Sequence, residues 1–132
     1  MIEGDEMINV VKIKAAFEDI RGSIFDIIEG EVRHVGIIKS KVGSVRARHY
    51  HKKSTQYTFI ISGKVEFFEK KLHEKNAKME KVILGPFDLV ITPPGIYHAI
   101  KCIEDCIFLD MTSESRVGNG YEEDTVRVDE PI

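Results

Sequence analysis

The chain has 132 residues, 42% of them hydrophobic, which indicates one compact domain able to bury a core. Its formal net charge of −3 argues against general nucleic-acid binding. No apolar run is long enough to span a bilayer, and the acidic residues 1–6 do not resemble a signal sequence, so we expect a cytoplasmic protein with no membrane partner.

Two histidines on one predicted strand are the most informative feature. Successive side chains of a strand point to opposite faces, so His49 and His51 should share a face about 7 Å apart. Residues 52–54 are typical of a turn, and residues 56–61 read as a strand rich in β-branched and aromatic side chains. The resulting hairpin would bring Gln56 back beside the histidines.

The second half of the chain supplies a third histidine. Residues 69–81 mix both charges and predict a long exposed hairpin loop, and residues 84–91 predict a strand closed by a turn at residues 93–95. His98 opens the next strand, so it can face the same pocket. Cys102 and Cys106 are expected to be buried thiols rather than a disulfide.

Basic residues cluster around the first two histidines, although the whole chain is acidic. They are Arg46, Arg48, Lys52 and Lys53. Such a cluster can blunt an exposed sheet edge. It can also bind an anionic group, since arginine holds phosphate with two parallel hydrogen bonds. Both interpretations stay open at this point.

The spacing Gly43-x5-His49-x-His51-x4-Gln56-x6-Gly63 resembles the first motif of the cupin superfamily. Its glutamine stands where most metal-binding members have glutamate.

Residues 88–98 resemble the second cupin motif, with Phe87 at its usual glycine and Cys102 at its usual terminal asparagine. The resemblance implies an all-β, single-domain cupin double-stranded β-helix, which is a jelly-roll-like antiparallel barrel. The barrel would cover residues 16–112. An amino-terminal arm or strand (residues 1–15) would precede it, and a carboxy-terminal tail (residues 113–132) would pack on the barrel or a partner.

Two further segments resemble cupins that act on nucleotide sugars. Residues 17–25 are similar to the Phe-x-Asp-x-Arg-Gly-x-x-Phe segment of the nucleotide-sugar 3,5-epimerases, whose arginine and histidine base would match Arg46 and His49. Residues 49–56 resemble the His-x-His-Lys-x3-Gln motif of the 3,4-ketoisomerases. The resemblance implies an isomerase or epimerase that removes a proton beside the carbonyl of a nucleotide-linked 4-keto-hexose, with no cofactor required.

This interpretation assigns roles to individual residues. His49 would remove the proton, because a neutral imidazole is suited to that task near neutral pH. His51 would return a proton at the neighbouring carbon, or Tyr97 would protonate the opposite face; strand parity turns Tyr57 away from an inward Gln56. The 3,5-epimerase tyrosine acid has no counterpart in residues 108–111. The expected substrate-binding residues are Arg46, Arg48, Gln56 and Lys52.

Two other functions remain open. One is a metal-dependent isomerase, oxygenase or lyase, in which a divalent ion such as Zn, Mn, Fe or Ni is held by His49, His51, Gln56 and His98. The other is a non-catalytic sugar-binding or sensing cupin. Because an amino-terminal strand in cupins often joins the sheet of a partner, the resemblance also implies a homodimer.

Overall fold

The structure, a computed structural model, describes residues 8–132. These residues form twelve strands and one short helix. The elements are β1 (Asn9–Lys12), β2 (Phe17–Asp19), β3 (Gly22–Ile24), β4 (His34–Ser40), β5 (Val45–His51), β6 (Gln56–Ser62), β7 (Val65–Lys70), β8 (Glu80–Leu84), β9 (Asp88–Thr92), β10 (Tyr97–Cys102), β11 (Cys106–Thr112), α1 (Gly120–Asp124) and β12 (Thr125–Arg127).

Two antiparallel five-stranded sheets make up the barrel. The first sheet has the order β1-β9-β6-β11-β4 and the second has the order β12-β5-β10-β7-β8, while β2 and β3 form a separate hairpin. Neighbours in each sheet are mostly distant in sequence, as in a jelly roll, and every pairing is antiparallel. The predicted all-β antiparallel barrel is therefore confirmed.

The core lies between the two sheets. Ile60, Phe67, Leu84 and Val90 meet there and are at most 1% exposed. The outer face of the first sheet carries a second apolar layer around Phe59, next to Ile60 in sequence but on the other face. Strand β6 is thus buried on both faces, which explains its nearly continuous run of apolar residues.

The prediction of a single strand over residues 84–91 is wrong. Strand β8 ends at Leu84 and β9 begins at Asp88, with a turn between them. Phe87 takes a left-handed backbone (φ 71°), and the Asp88 carboxylate accepts a hydrogen bond from the Gly85 N–H at 2.9 Å. Pro86 lacks the N–H that a ladder needs, so the chain turns here.

The ends of the chain add a strand to each sheet. Strand β1 pairs with β9 of the same chain, so Asn9 lies opposite Ile91. It completes its own sheet instead of reaching a partner, and the homodimer stays a prediction; residues 1–7 of the predicted arm lie outside the described residues. At the other end β12 pairs with β5, which places Thr125 opposite His51. Within residues 8–132 no helix is long and apolar enough to cross a membrane.

The turn between β6 and β7 depends on a glycine. Gly63 has φ +89°, and a Cβ there would lie 2.3 Å from the Asp105 carbonyl oxygen and 2.8 Å from Cys106 Cα. Gly43 has nearly the same backbone (φ +87°), yet a Cβ there would meet nothing within 4 Å. Substitutions at these two glycines therefore distinguish the cost of backbone strain from the cost of steric overlap.

We expect Gly63→Ala to destabilise the fold more than Gly43→Ala. Both substitutions place an alanine in a left-handed conformation, which costs about 1–2 kcal/mol. Only Gly63→Ala also forces the β10–β11 turn away, which should add about 1–3 kcal/mol. Urea unfolding of both variants and the native protein measures the difference, and equal losses would contradict it.

Candidate active site

The three histidines meet inside one end of the barrel. His49 and His51 come from β5, and His98 on β10 lies directly opposite His49 in the ladder. Their ring centroids are 4.7 Å (His49 to His51), 4.8 Å (His49 to His98) and 5.5 Å (His51 to His98) apart. One nitrogen from each ring lies within 4.8 Å of the others, and all three side chains are buried.

A cavity of about 200 Å³ opens beside these rings. Its polar lining residues are Arg46, His49, Gln56, Thr58, His98, Asp110, Arg116 and Tyr121, and its apolar walls include Phe67 and Phe108. His51 does not line the cavity. It lies behind His49, with both ring nitrogens facing other protein groups.

A β-bulge in β5 decides which arginine reaches the cavity. The register shifts so that His98 faces His49 while Ala99 faces Ala47, which leaves Arg48 as the extra residue. Ala47 and Arg48 both have left-handed backbones (φ 71° and 60°). The extra residue reverses the strand's parity, so Arg46 lines the same cavity as His49 although three positions separate them.

The other predicted phosphate ligands lie elsewhere. Arg48 turns outward and donates to the Glu130 carbonyl oxygen at 2.9 Å. Lys52 lines a separate depression near Asp124. Arg46 donates through Nε to Ser40 Oγ at 2.8 Å, which fixes its guanidinium at the cavity wall. The structure therefore brings Arg46 to the histidines but not Arg48 or Lys52.

His51 is held by hydrogen bonds on one side and by the tail on the other. Its Nε2 lies 2.9 Å from Gln56 Oε1, and the Gln56 amide nitrogen donates to Asp110. Its Nδ1 lies 3.4 Å from Thr125 Oγ1 and 3.5 Å from a carboxylate oxygen of Asp124. His51 is thus oriented by both sheets.

Burial keeps the cavity histidines neutral. It lowers the pKa of His49 to about 2, with a further contribution from His98 and His51, because the charged imidazolium loses its hydration. Burial and the neighbouring His51 likewise lower the pKa of His98 to about 4. The pKa of His51 is also lowered by burial, opposed by its contacts with Gln56 and Asp124.

The tautomer of His98 follows from its one hydrogen bond. Its Nδ1 lies 3.2 Å from the Ile96 carbonyl oxygen, which can only accept, so Nδ1 carries the proton. Nε2 then presents a lone pair, and this buried atom has no partner among the described residues. An unpartnered buried acceptor beside a cavity is available to a ligand.

Comparison with known proteins now identifies the fold. The family model of the cupin domain matches residues 36–112, which is more than half of the chain. The chain belongs to the cupin domain family. A comparison of its sequence with curated proteins finds no significant match.

Several solved structures resemble this cupin. A doubly substituted form of the QdtA 3,4-ketoisomerase from Thermoanaerobacterium thermosaccharolyticum, in complex with TDP, is 25% identical, with a TM-score of 0.72 over 92% of this chain and 87% of that one. A 3,4-ketoisomerase from Helicobacter canadensis is 19% identical (TM-score 0.74, covering 92% and 90%). ChmJ, a 3′-monoepimerase from Streptomyces bikiniensis in complex with dTDP-quinovose, is 15% identical (TM-score 0.77, covering 92% and 69%).

The tyrosine expected in the cupin site lies on the wrong face of its strand. Tyr97 is adjacent to His98, so its side chain points out of the barrel, where it packs beside Phe68 and Ala99. Its ring is fully buried, burial raises the pKa of its hydroxyl, and that hydroxyl lies 3.5 Å from the Glu130 carbonyl oxygen. Tyr97 therefore does not reach the cavity.

Three cavity residues were missed because they come from the end of β11 and from the tail. Tyr121 on α1 lies over the mouth, with its ring centroid 6.3 Å from that of His49 and 6.4 Å from that of His51. The Arg116 guanidinium lies 4.6 Å from the centre of the Tyr121 ring and pairs with Asp110 at 2.9 Å. The sequence predicted that the tail, residues 113–132, packs on the barrel or a partner, but it did not indicate that the tail covers the histidines.

His49, His51 and His98 each offer one ring nitrogen within 4.8 Å of the others, a spacing that could hold a divalent ion. In the arrangement described, His51 Nε2 faces the Gln56 oxygen at 2.9 Å, so binding an ion through that nitrogen would require this hydrogen bond to break. The metal-dependent function stays a prediction.

The pKa of His98 predicts a specific pH dependence of stability. Between its folded value of about 4 and an unfolded value of about 6.5, the unfolded chain binds more protons, so stability falls as the pH falls. This contribution amounts to at most about 1.4 kcal/mol per pH unit. We expect His98→Asn to remove this contribution and to make the curve of unfolding free energy less steep between pH 6.5 and pH 4, while the contributions of His49 and His51 remain.

The comparison must be between the variant and the native protein. Burial raises the pKa of Glu69 to about 7, and this change has the opposite sign, because the folded state then binds the extra proton. Glu69 is present in both proteins, so its effect cancels in the difference. Parallel curves from urea unfolding at several pH values would show that folding does not lower the pKa of His98.

Proposed function

We propose that this cupin is an isomerase or epimerase that removes the C3 proton of a nucleotide-linked 4-keto-hexose, with His49 as the base. The observation that carries the proposal is the position of His49. It lines the cavity, and its ring makes no side-chain hydrogen bond within residues 8–132, in contrast to His51 and His98. A free lone pair aimed into a cavity is what proton abstraction requires.

The charges around the cavity suit the intermediate. A carbonyl at C4 acidifies the C3–H bond, and loss of that proton to His49 places negative charge on the carbonyl oxygen. Arg46 and Arg116 both line the cavity and can stabilise this enolate. His98 Nε2 can accept a hydrogen bond from a sugar hydroxyl, which would satisfy the unpartnered atom.

Two outcomes follow from the same enolate. Return of a proton to the opposite face of C3 gives the 3-epimer. Delivery of a proton to C4, with transfer of the C3 hydroxyl proton to the C4 oxygen, moves the carbonyl to C3. Neither outcome changes the overall oxidation state, so neither needs a redox partner. Solved cupins of both kinds share this fold.

The volume of the cavity indicates that only part of the substrate would lie inside it. Pockets for drug-sized ligands have volumes of about 300–1,000 Å³, whereas this cavity holds about 200 Å³. The sugar ring would enter it and the nucleotide would lie over the mouth. There Tyr121 offers an aromatic face, with Arg116 beside it and Arg127 5.8 Å from its ring centre.

We expect His49→Asn to abolish hydrogen exchange at C3. The native protein, incubated in heavy water with dTDP- or UDP-linked 4-keto-6-deoxyhexose, should exchange the C3 hydrogen, as proton NMR of the recovered sugar would show. Loss of a general base should slow the exchange by about 10²–10⁴-fold. The matched control is His73→Asn, because His73 is exposed on the loop between β7 and β8.

Circular dichroism establishes that each variant is folded. Native-like exchange in folded His49→Asn would remove His49 as the base. No exchange by the native protein with any of these sugars would overturn the isomerase and epimerase proposal, and favour a sensing cupin.

We expect Tyr121→Phe and Tyr97→Phe to differ. Tyr121 lines the cavity with His49, so we assign its hydroxyl the return of the proton, and its loss should slow product formation by about 10²-fold or more while C3 exchange continues. The Tyr97 hydroxyl lies on the other face of β10, so Tyr97→Phe should leave turnover near native. Product formation and exchange followed in one NMR time course test both, and the reverse pattern would restore Tyr97 as the acid.

A further inference from the structure

One buried amide connects the two sheets beneath the cavity. Gln56 on β6 faces His51 on β5 through its oxygen and Asp110 on β11 through its nitrogen. All three residues are at most 7% exposed. Asp110 is in turn paired with Arg116 at 2.9 Å. The result is a single hydrogen-bonded row that runs from Arg116 to His51.

The direction of every hydrogen bond in this row is set at the Asp110 end. A carboxylate paired with an arginine can only accept, so the group that Gln56 turns toward Asp110 must be its NH₂. The Gln56 oxygen is then forced toward His51. Because that oxygen also only accepts, His51 must carry its proton on Nε2.

The groups near Nδ1 of His51 favour the tautomer that is protonated on Nδ1. Nδ1 lies 3.5 Å from an Asp124 carboxylate oxygen, which would accept a proton from it, while the Thr125 hydroxyl at 3.4 Å can donate or accept. A neutral imidazole carries one proton, and Gln56 on one side and Asp124 on the other are both placed to accept it. The Gln56 contact is the shorter, at 2.9 Å.

We propose that Asp110 is a positioning residue that holds His51 as the Nε2-protonated tautomer through the orientation of Gln56. Without Asp110, the Gln56 amide is free to rotate by half a turn and to offer its NH₂ to Nε2. The proton of His51 then moves to Nδ1, toward Asp124. Asp110 thus acts on an imidazole it does not touch.

The same row explains the glutamine at position 56. A glutamate there would place its carboxylate against that of Asp110, and two buried carboxylates at hydrogen-bond distance cannot both be ionised without a large cost. Glutamine supplies one donor and one acceptor, which matches a carboxylate on one side and an imidazole N–H on the other. Position 56 is therefore a connector between sheets in this chain.

The test reads the tautomer directly. Protein labelled with ¹⁵N-histidine and treated with chelator is studied at pH 7 by long-range ¹H–¹⁵N correlation NMR, which separates protonated from unprotonated ring nitrogens. Loss of its signals in His51→Asn assigns His51. We expect the Nε2-protonated form in the native protein, a mixture in Asp110→Asn, and a shift to the Nδ1-protonated form in Asp110→Leu.

Control variants test whether Asp110 acts on His51 through Gln56. Asp88→Asn replaces another buried aspartate of the first sheet, whose hydrogen bonds go to Lys12 and Gly85, and should leave the His51 spectrum unchanged. Asp124→Asn removes the negative charge of the competing acceptor and should also keep the Nε2-protonated form. Asp110→Asn is nearly isosteric, which keeps the test valid if Asp110→Leu does not fold.

A native protein with the Nδ1-protonated form would overturn the proposal, as would an unchanged tautomer in the folded Asp110 variants. The measurement needs no substrate, so its failure is distinguishable from failure of the proposed reaction.

Discussion

The site depends on one requirement, that polar groups buried in the barrel mouth find partners within the barrel. An unsatisfied buried donor or acceptor costs about 1–3 kcal/mol, and this mouth buries three imidazoles, an amide and a carboxylate. Gln56 meets the requirement by reaching from one sheet to the other, where it joins His51 to Asp110. The same pairing ties β5 of one sheet to β6 and β11 of the other beneath the cavity.

His98 is the exception, and the exception indicates where a ligand binds. Its Nδ1 is satisfied by the Ile96 carbonyl, while its Nε2 is buried and unpartnered within the described part of the chain. His49 also leaves its ring free of side-chain partners. The two histidines that line the cavity are therefore the two with unused lone pairs, and the one that lies behind them, His51, is fully engaged. Three similar residues perform different tasks because their surroundings differ.

The sequence was sufficient for much of this arrangement, because strand periodicity is local. The shared face of His49 and His51 follows from their spacing, and the hairpin that returns Gln56 follows from the turn between them. The predictions that failed concern segments with an irregular backbone. The turn before Asp88 interrupts an apolar run, and Phe87 occupies a left-handed conformation that its residue type does not suggest.

The bulge in β5 shows how one residue can reassign a surface. By simple alternation Arg46 would point away from His49, and Arg48 would point away with it. The extra residue restores Arg46 to the cavity face and sends Arg48 to the tail, where it binds the Glu130 carbonyl. Bulges of this type carry no reliable sequence signal, so a cluster of basic residues could be recognised while its two arginines could not be told apart.

The tail supplies what the family resemblance does not. The cupin domain match ends at residue 112, after all three histidines, Gln56 and Asp110, but before Arg116, Tyr121 and Asp124. Those later residues form the mouth, because the pairing of β12 with β5 carries α1 over the histidines. The barrel thus provides the imidazoles and the floor of the cavity, while the groups that would meet the rest of a substrate come from a segment whose position is set by three ladder pairs. Under the proposed function, a change in this short segment would alter the groups that meet the substrate and leave His49 in place, because His49 belongs to β5 of the barrel.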